Sequence, residues 1–232
     1  MEKIGIIGAM DSEVNTLKNI TKINKTASIA NMVFCEGLLN DKEVVIVQCG
    51  IGKVNAGICA HTLINIFHCT KIINTGVAGS LDKRLNIGDI VVSVDAVQHD
   101  FDIVALGYQK GEIPYTGLYA FEADKYMRKV ALQTINDLNL DVKAYEGRIC
   151  SGDQFITSNE QKRIIVNNFN GMCCEMEGAA IAQVCYLNKT PFLIIRAISD
   201  KTDGSVPKEF FTFKIKSSEI SAKIVASLIN NL

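Results

Sequence analysis

The chain contains no tryptophan, three prolines and three histidines in 232 residues. It also lacks an excess of charge of either sign: 24 Lys and Arg stand against 25 Asp and Glu, a net charge of -1. Near-neutrality removes the broad attraction to phosphate backbones and anionic lipid, so neither nucleic acid nor a membrane is an expected partner. No apolar run approaches the roughly 18 residues of a membrane span. Met1 to Gly8 reads as a short strand without the apolar region of a signal peptide, and a cytoplasmic location is expected. His61, His68 and His99 share no ligand spacing with one another or with a cysteine. Each reads as a satisfied structural histidine, and no metal is expected. Linkers, low-complexity tracts, charge blocks and internal repeats are missing too, so one domain over 1–232 is the economical reading.

What is present is the composition of a packed globular protein, 48% hydrophobic and 21% charged. The eight cysteines (35, 49, 59, 69, 150, 173, 174 and 185) sit inside apolar stretches and nowhere form CxxC, which predicts buried reduced thiols. Lys3 to Gly8 predicts a strand feeding a helix over Asp11 to Ile20, where Val14, Leu17 and Ile20 recur at helical spacing. Val33 to Leu39 and Glu43 to Gln48 predict a hairpin turning at Asn40-Asp41, a pair that tolerates positive φ. A helix follows over Gly52 to Phe67. Lys71 to Asn74 and Asp89 to Val97 are β-branched runs joined by the segment Gly76-Val77-Ala78-Gly79.

Beyond them the spacing predicts a helix over Glu122 to Leu138, a strand over Lys143 to Cys150, a helix over Asn159 to Phe169 and a short strand over Met172 to Glu175. Ala179 to Leu187 is helical, Phe192 to Ile198 the last strand and Glu209 to Ile229 the closing helix. Continuous apolar strands alternating with helices give an α/β fold, and the hairpin makes its central β-sheet mixed, flanked by helices on both faces. Ligands in such sheets collect beyond the carboxyl ends of the strands.

Two familiar motifs fail. Cys49-Gly50-Ile51-Gly52-Lys53 has Val47 and Val54 where a phosphate loop needs glycine and a hydroxyl residue, and Asn55 breaks a dinucleotide fingerprint. A tight strand-to-helix turn is the plainer reading. No GxSxG elbow exists, which disfavours a serine esterase.

Three carboxylates fall just past apolar strands: Glu13, Glu177 and Asp200. Each could be a helix N-terminal acid, worth a few tenths to about 1 kcal/mol. Glu175-Met176-Glu177 argues for more, because ionised groups among Cys, Gly and Ala are costly without partners.

Five separated motifs carry a resemblance: Gly5 to Met10 followed by Glu13-Val14, Asn74 to Gly79, Ser151 to Ile156, Glu175 to Ala180, and Arg196 to Asp200. In order and spacing, from Ile4 to about Leu228, the chain resembles bacterial 5'-methylthioadenosine/S-adenosylhomocysteine nucleosidases, which have the nucleoside phosphorylase fold. The resemblance implies a homodimer that cleaves the N-glycosidic bond of an adenine nucleoside with water, using no metal or organic cofactor. It implies Asp200 as the acid at purine N7, oriented by Ser199 and raised in pKa by burial, and Glu13 as the base that positions water. Glu177 would hold the ribose hydroxyls. The loop residues Val77, Ala78 and Gly79, together with Glu175, complete the implied substrate-binding set. Phe155 would stack on adenine, Ile156 would read the purine edge through its backbone, and Met176 would pack beneath the ribose. Met10 and Phe210 would line the 5'-alkylthio pocket, and Leu106, Tyr108 and Pro114 would reach across the dimer to close the neighbour's site.

The chain departs from the family pattern at Val77, where serine is frequent, at Leu106, where phenylalanine is common, and at Asp11-Ser12, which replaces a more acidic pair. The balance among methylthioadenosine, adenosylhomocysteine and 5'-deoxyadenosine stays open. The sequence leaves two rivals: a phosphate-dependent purine nucleoside phosphorylase, which Glu13 and Asp11 would disfavour by repelling phosphate, and a non-catalytic nucleoside-binding protein.

Overall fold

The computed structural model describes residues 2–200 and 210–232, with the backbone alone for 210–216. Strand β1 (Lys3–Gly8) is buried from its second residue onward, as expected of a strand covered on both faces. It lies parallel to β4 (Lys42–Gln48) on one side and β5 (Lys71–Ser80) on the other. Packed against these strands, α1 (Asp11–Ile20) buries Glu13, Val14 and Leu17.

The turn from β3 (Met32–Leu39) to β4 places Asn40 and Asp41 at φ 51° and 62°, as the sequence predicts. One strand escaped that reading. Strand β2 (Lys22–Ile29) pairs antiparallel with β3 through a second left-handed pair, Ala30 and Asn31. It lies at the sheet edge and is mostly exposed, so its polar sequence carries little hydrophobic signal.

Helix α2 (Lys53–Asn65) buries Ala56, Cys59, Ala60 and Leu63 on one face. Strand β5 corrects the sequence reading: Gly76 to Gly79 is no connecting loop but the continuation of the strand to Ser80. Glycine and alanine are weak strand formers, and pairing with neighbours on both sides overrides their preference. Strand β6 (Ile90–Gln98) follows, then a 3-10 turn at Val104–Leu106 and the short β7 (Ala120–Glu122), which claims Glu122 from the expected helix. That helix, α3, runs over Lys125–Asp137 and is capped by the Asp124 side chain on the Met127 N–H.

Strand β8 (Ala144–Ser151), α4 (Asn159–Phe169), β9 (Cys173–Glu175), α5 (Gly178–Leu187), β10 (Phe192–Asp200) and α6 (Phe210–Asn231) complete the order. The start expected for the last helix, Glu209, lies outside the described residues.

The sheet is mixed, and half of it closes on itself. Strand β5 pairs with β10, β10 with β6, β6 with β8, β8 with β9, and β9 again with β5. From this ring β1, β4, β3 and β2 extend as a flange. Ile6, Ile7, Ile46, Ile73, Ile194 and Ile195 are fully buried, each contributing roughly 1.5 to 3 kcal/mol by leaving water. All eight cysteines are buried and free, as expected. Among the described residues no helix is long and apolar enough to cross a membrane.

Candidate active site

Closure of the ring brings the ends of β1, β5, β9 and β10 to one cavity of about 230 Å³. Glu13, in the first turn of α1, is 4% exposed yet fully partnered. Its Oε2 accepts from the Ala9 and Met10 N–H groups at 2.8 and 2.9 Å, and its Oε1 accepts from the Val77 N–H at 3.1 Å. Burial pushes its pKa above the ordinary 4.5, while the charge of Arg196 and those three N–H groups pull the other way. Its role as a helix-start acid and its place in the cavity are therefore not alternatives.

Glu177 sits at the start of α5, and its Oε1 accepts from the Gly52 N–H at 2.8 Å. This explains the discarded glycine motif, a tight turn with Gly50 and Gly52 at φ 86° and 98° that aims one amide at a carboxylate. Burial raises Glu177 to about 7, helped by the neighbouring charge of Glu175 and by Glu13, and opposed by the Gly52 N–H and Arg196. Glu175 points inward. Its oxygens accept from the Ser151 hydroxyl, the Glu177 and Gly178 N–H groups, and Arg196 Nη2 at 2.5 Å. Arg196 also donates to Asn74 Oδ1. The buried Glu175–Arg196 pair thus ties β9 to β10 at the cavity wall.

Asp200 ends β10 beside Gly79 of β5. Ser199 Oγ lies 3.3 Å from Asp200 Oδ1 and 3.3 Å from the Ala78 carbonyl, so its single proton has two competing acceptors. Asp200 Oδ2 accepts from Lys162 Nζ of α4 at 3.0 Å.

The two glycines of the β5 extension have one physical purpose. A Cβ at Gly76 would stand 2.5 Å from Glu13 Oε1, and one at Gly79 would stand 2.9 Å from Asp200 Oδ1. Each glycine makes room for one carboxylate. Gly76→Ala should therefore keep its far-UV circular dichroism while losing roughly 100-fold in turnover, since misplacing a reacting group by about 1 Å has that effect; turnover within threefold of the parent would show that Glu13 is free to move.

Of the residues expected from sequence, Met10, Glu13, Val77, Ala78, Gly79, Phe155, Ile156, Glu175, Met176, Glu177, Ser199 and Asp200 all border this cavity. Phe155 is 68% exposed at its mouth, whereas Ile156 is buried. Sequence reasoning missed Ala9, Ile51, Gln154 and Cys174 in the lining, although Ala9 and Gln154 lie inside the motifs quoted above, Cys174 adjoins one and Ile51 sits inside the glycine turn. It also missed Lys162. His99 is corrected: it is buried, but its Nε2 has no partner among the described residues, and burial lowers its pKa. No metal-binding cluster occurs among the described residues.

Residues 3–230 match the phosphorylase superfamily. The 5'-methylthioadenosine/S-adenosylhomocysteine nucleosidase of Staphylococcus saprophyticus is 46% identical over 230 residues, covering 99% of this chain and 100% of that protein. The chain belongs to this nucleosidase family.

Solved structures agree with the family fold. The Neisseria meningitidis nucleosidase in complex with methylthio-immucillin-A superposes with a TM-score of 0.95 at 35% identity, each chain fully covered. Futalosine hydrolase of Helicobacter pylori is also similar, with a TM-score of 0.93 at 34% identity over 100% of this chain and 98% of that one. In this chain, Leu106, Tyr108 and Pro114 do not border its own cavity. Leu106 is exposed, and Tyr108 and Pro114 are half-buried. The Phe210 side chain lies outside the described residues.

Proposed function

We propose that the protein hydrolyses the N-glycosidic bond of 5'-methylthioadenosine and S-adenosylhomocysteine, releasing adenine and the thioribose. The observation that carries the assignment of roles is the pairing of Glu13 and Asp200 on one cavity, each seated against a glycine of the same strand. Asp200 gives a proton to purine N7. The glycosidic electron pair then leaves with adenine, and the ribosyl carbon becomes oxocarbenium-like. Glu13 takes a proton from the water that attacks that carbon, and Glu177 accepts from the ribose hydroxyls, placing negative charge beside the cation. Phe155 offers an aromatic face to the base.

A homodimer is part of the reading. Ile51, Val54 and Ile58 are exposed along the turn into α2 and its outer face, and a second copy covering them would remove an apolar patch from water. The exposed turn at Leu106 would then reach the neighbour's site. Reduced thiols and near-neutral charge suit a cytoplasmic enzyme.

No lysine or arginine lines the cavity among the described residues, which leaves an incoming phosphate dianion without a cationic donor there. Incubation with methylthioadenosine, with and without phosphate, followed by chromatography tests the reading. Adenine should appear at the same rate in both. Phosphate-dependent release with a sugar 1-phosphate would make the protein a phosphorylase, and calorimetric binding without adenine would make it a receptor.

A further inference from the structure

Lysine is rarely fully buried without a partner. The Lys162 side chain is 4% exposed and stands 3.0 Å from Asp200 Oδ2, itself 14% exposed. The pair is far less screened by solvent than a surface ion pair, so the ammonium acts on Asp200 more strongly than it would at the surface. From β9, Cys174 also faces both groups, but burial holds its thiol up at about 12, so it stays neutral. From β10, among the described residues, comes the Ser199 hydroxyl, 3.3 Å from Oδ1.

We propose that Lys162 is the positioning residue of the acid: its ammonium fixes Asp200 Oδ2 and stabilises the negative charge that Asp200 acquires as its proton passes to N7. In that step the carboxyl O–H bond breaks and the N7–H bond forms. The electron pair stays on the carboxylate, and Lys162 keeps all its protons. The cation thus favours the state after proton transfer over the state before it, which is the condition for raising kcat rather than tightening substrate binding. The inference rests on Asp200 being the acid.

The test compares two substrates. Methylthioadenosine needs a protonated leaving group, whereas the p-nitrophenyl glycoside of 5-methylthioribose loses a stable phenolate that needs none. Lys162→Met should lower kcat on methylthioadenosine by about 100-fold, the scale of a lost charge-stabilising donor. KM should stay within about threefold, as for an interaction made only in the transition state. Lys162→Arg should restore most of the rate, and all three proteins should cleave the p-nitrophenyl glycoside alike. Lys162→Gln, which drops the charge but keeps a donor, takes the place of the methionine variant if the latter does not melt as a folded protein. A kcat within twofold of the parent, or an equal loss on both substrates, overturns the inference. Asp200→Asn separates the two levels: if that variant still releases adenine, the acid assignment fails; if it is inactive while Lys162→Met is normal, only the role of Lys162 fails.

Discussion

Asp200→Asn should purify folded, bind methylthioadenosine and release adenine 10² to 10⁴ times more slowly, the usual contribution of a positioned acid. The substitution is nearly isosteric, and the amide oxygen can still accept from Lys162, so the buried ammonium keeps a partner. Gly79 still leaves room for the side chain. What disappears is a transferable proton. An amide can donate a hydrogen bond to N7 but cannot give the proton up, and adenine must then depart with its charge uncompensated. Single-turnover chromatography for adenine, beside a thermal melt and a binding isotherm, separates loss of chemistry from loss of fold. Adenine release within tenfold of the parent would remove Asp200 from the mechanism.

The parts of this site that were legible in sequence are those built from local pattern. Glu13 lies in the turn after an apolar strand, and the same two N–H groups, of Ala9 and Met10, that make it a helix-start acid also seat it in the cavity. Glu175 and Glu177 were conspicuous because carboxylates among Cys, Gly and Ala demand partners, and Arg196 and the Gly52 N–H are those partners. Lys162 was illegible. It lies on an amphipathic helix in a run of polar residues, Asn159-Glu160-Gln161-Lys162-Arg163, where a lysine is ordinarily solvated, and its burial against Asp200 at the end of β10 is a tertiary event that local pattern does not record.

The fold divides the same way. Buried strands announce themselves through continuous β-branched runs, whereas β2 at the edge pairs through its backbone and leaves no apolar imprint. The extension of β5 was hidden for the opposite reason. Its glycines are there for the carboxylates that press against them, a requirement set by residues about 60 and 120 positions away in sequence.

Glu13→Gln should be as damaging as loss of the acid, again by about 10² to 10⁴ in turnover, with an added cost to stability. The carboxylate accepts three backbone N–H groups, two on one oxygen and one on the other. A carboxamide has a single oxygen, so at least one of those amides must face an NH2 group, a loss of roughly 1 to 3 kcal/mol for an unsatisfied buried donor. A lower melting temperature is therefore expected along with the lost rate, and the two effects need separating. Glu13→Ala in the presence of azide does so, because azide attacks the ribosyl carbon without surrendering a proton and so needs no base. A glycosyl azide should form with Glu13→Ala and not with Asp200→Asn, in which departure of adenine is the blocked step. In the parent enzyme the base must be ionised, and burial lifts Glu13 above its ordinary 4.5, so kcat/KM should begin to fall with decreasing pH before that value is reached. Ionised Glu13 is also among the causes that hold Glu177 near 7, so the acid limb belongs to the pair of carboxylates rather than to either one. A pH–rate profile flat down to pH 4.5 would contradict a buried carboxylate base at this position.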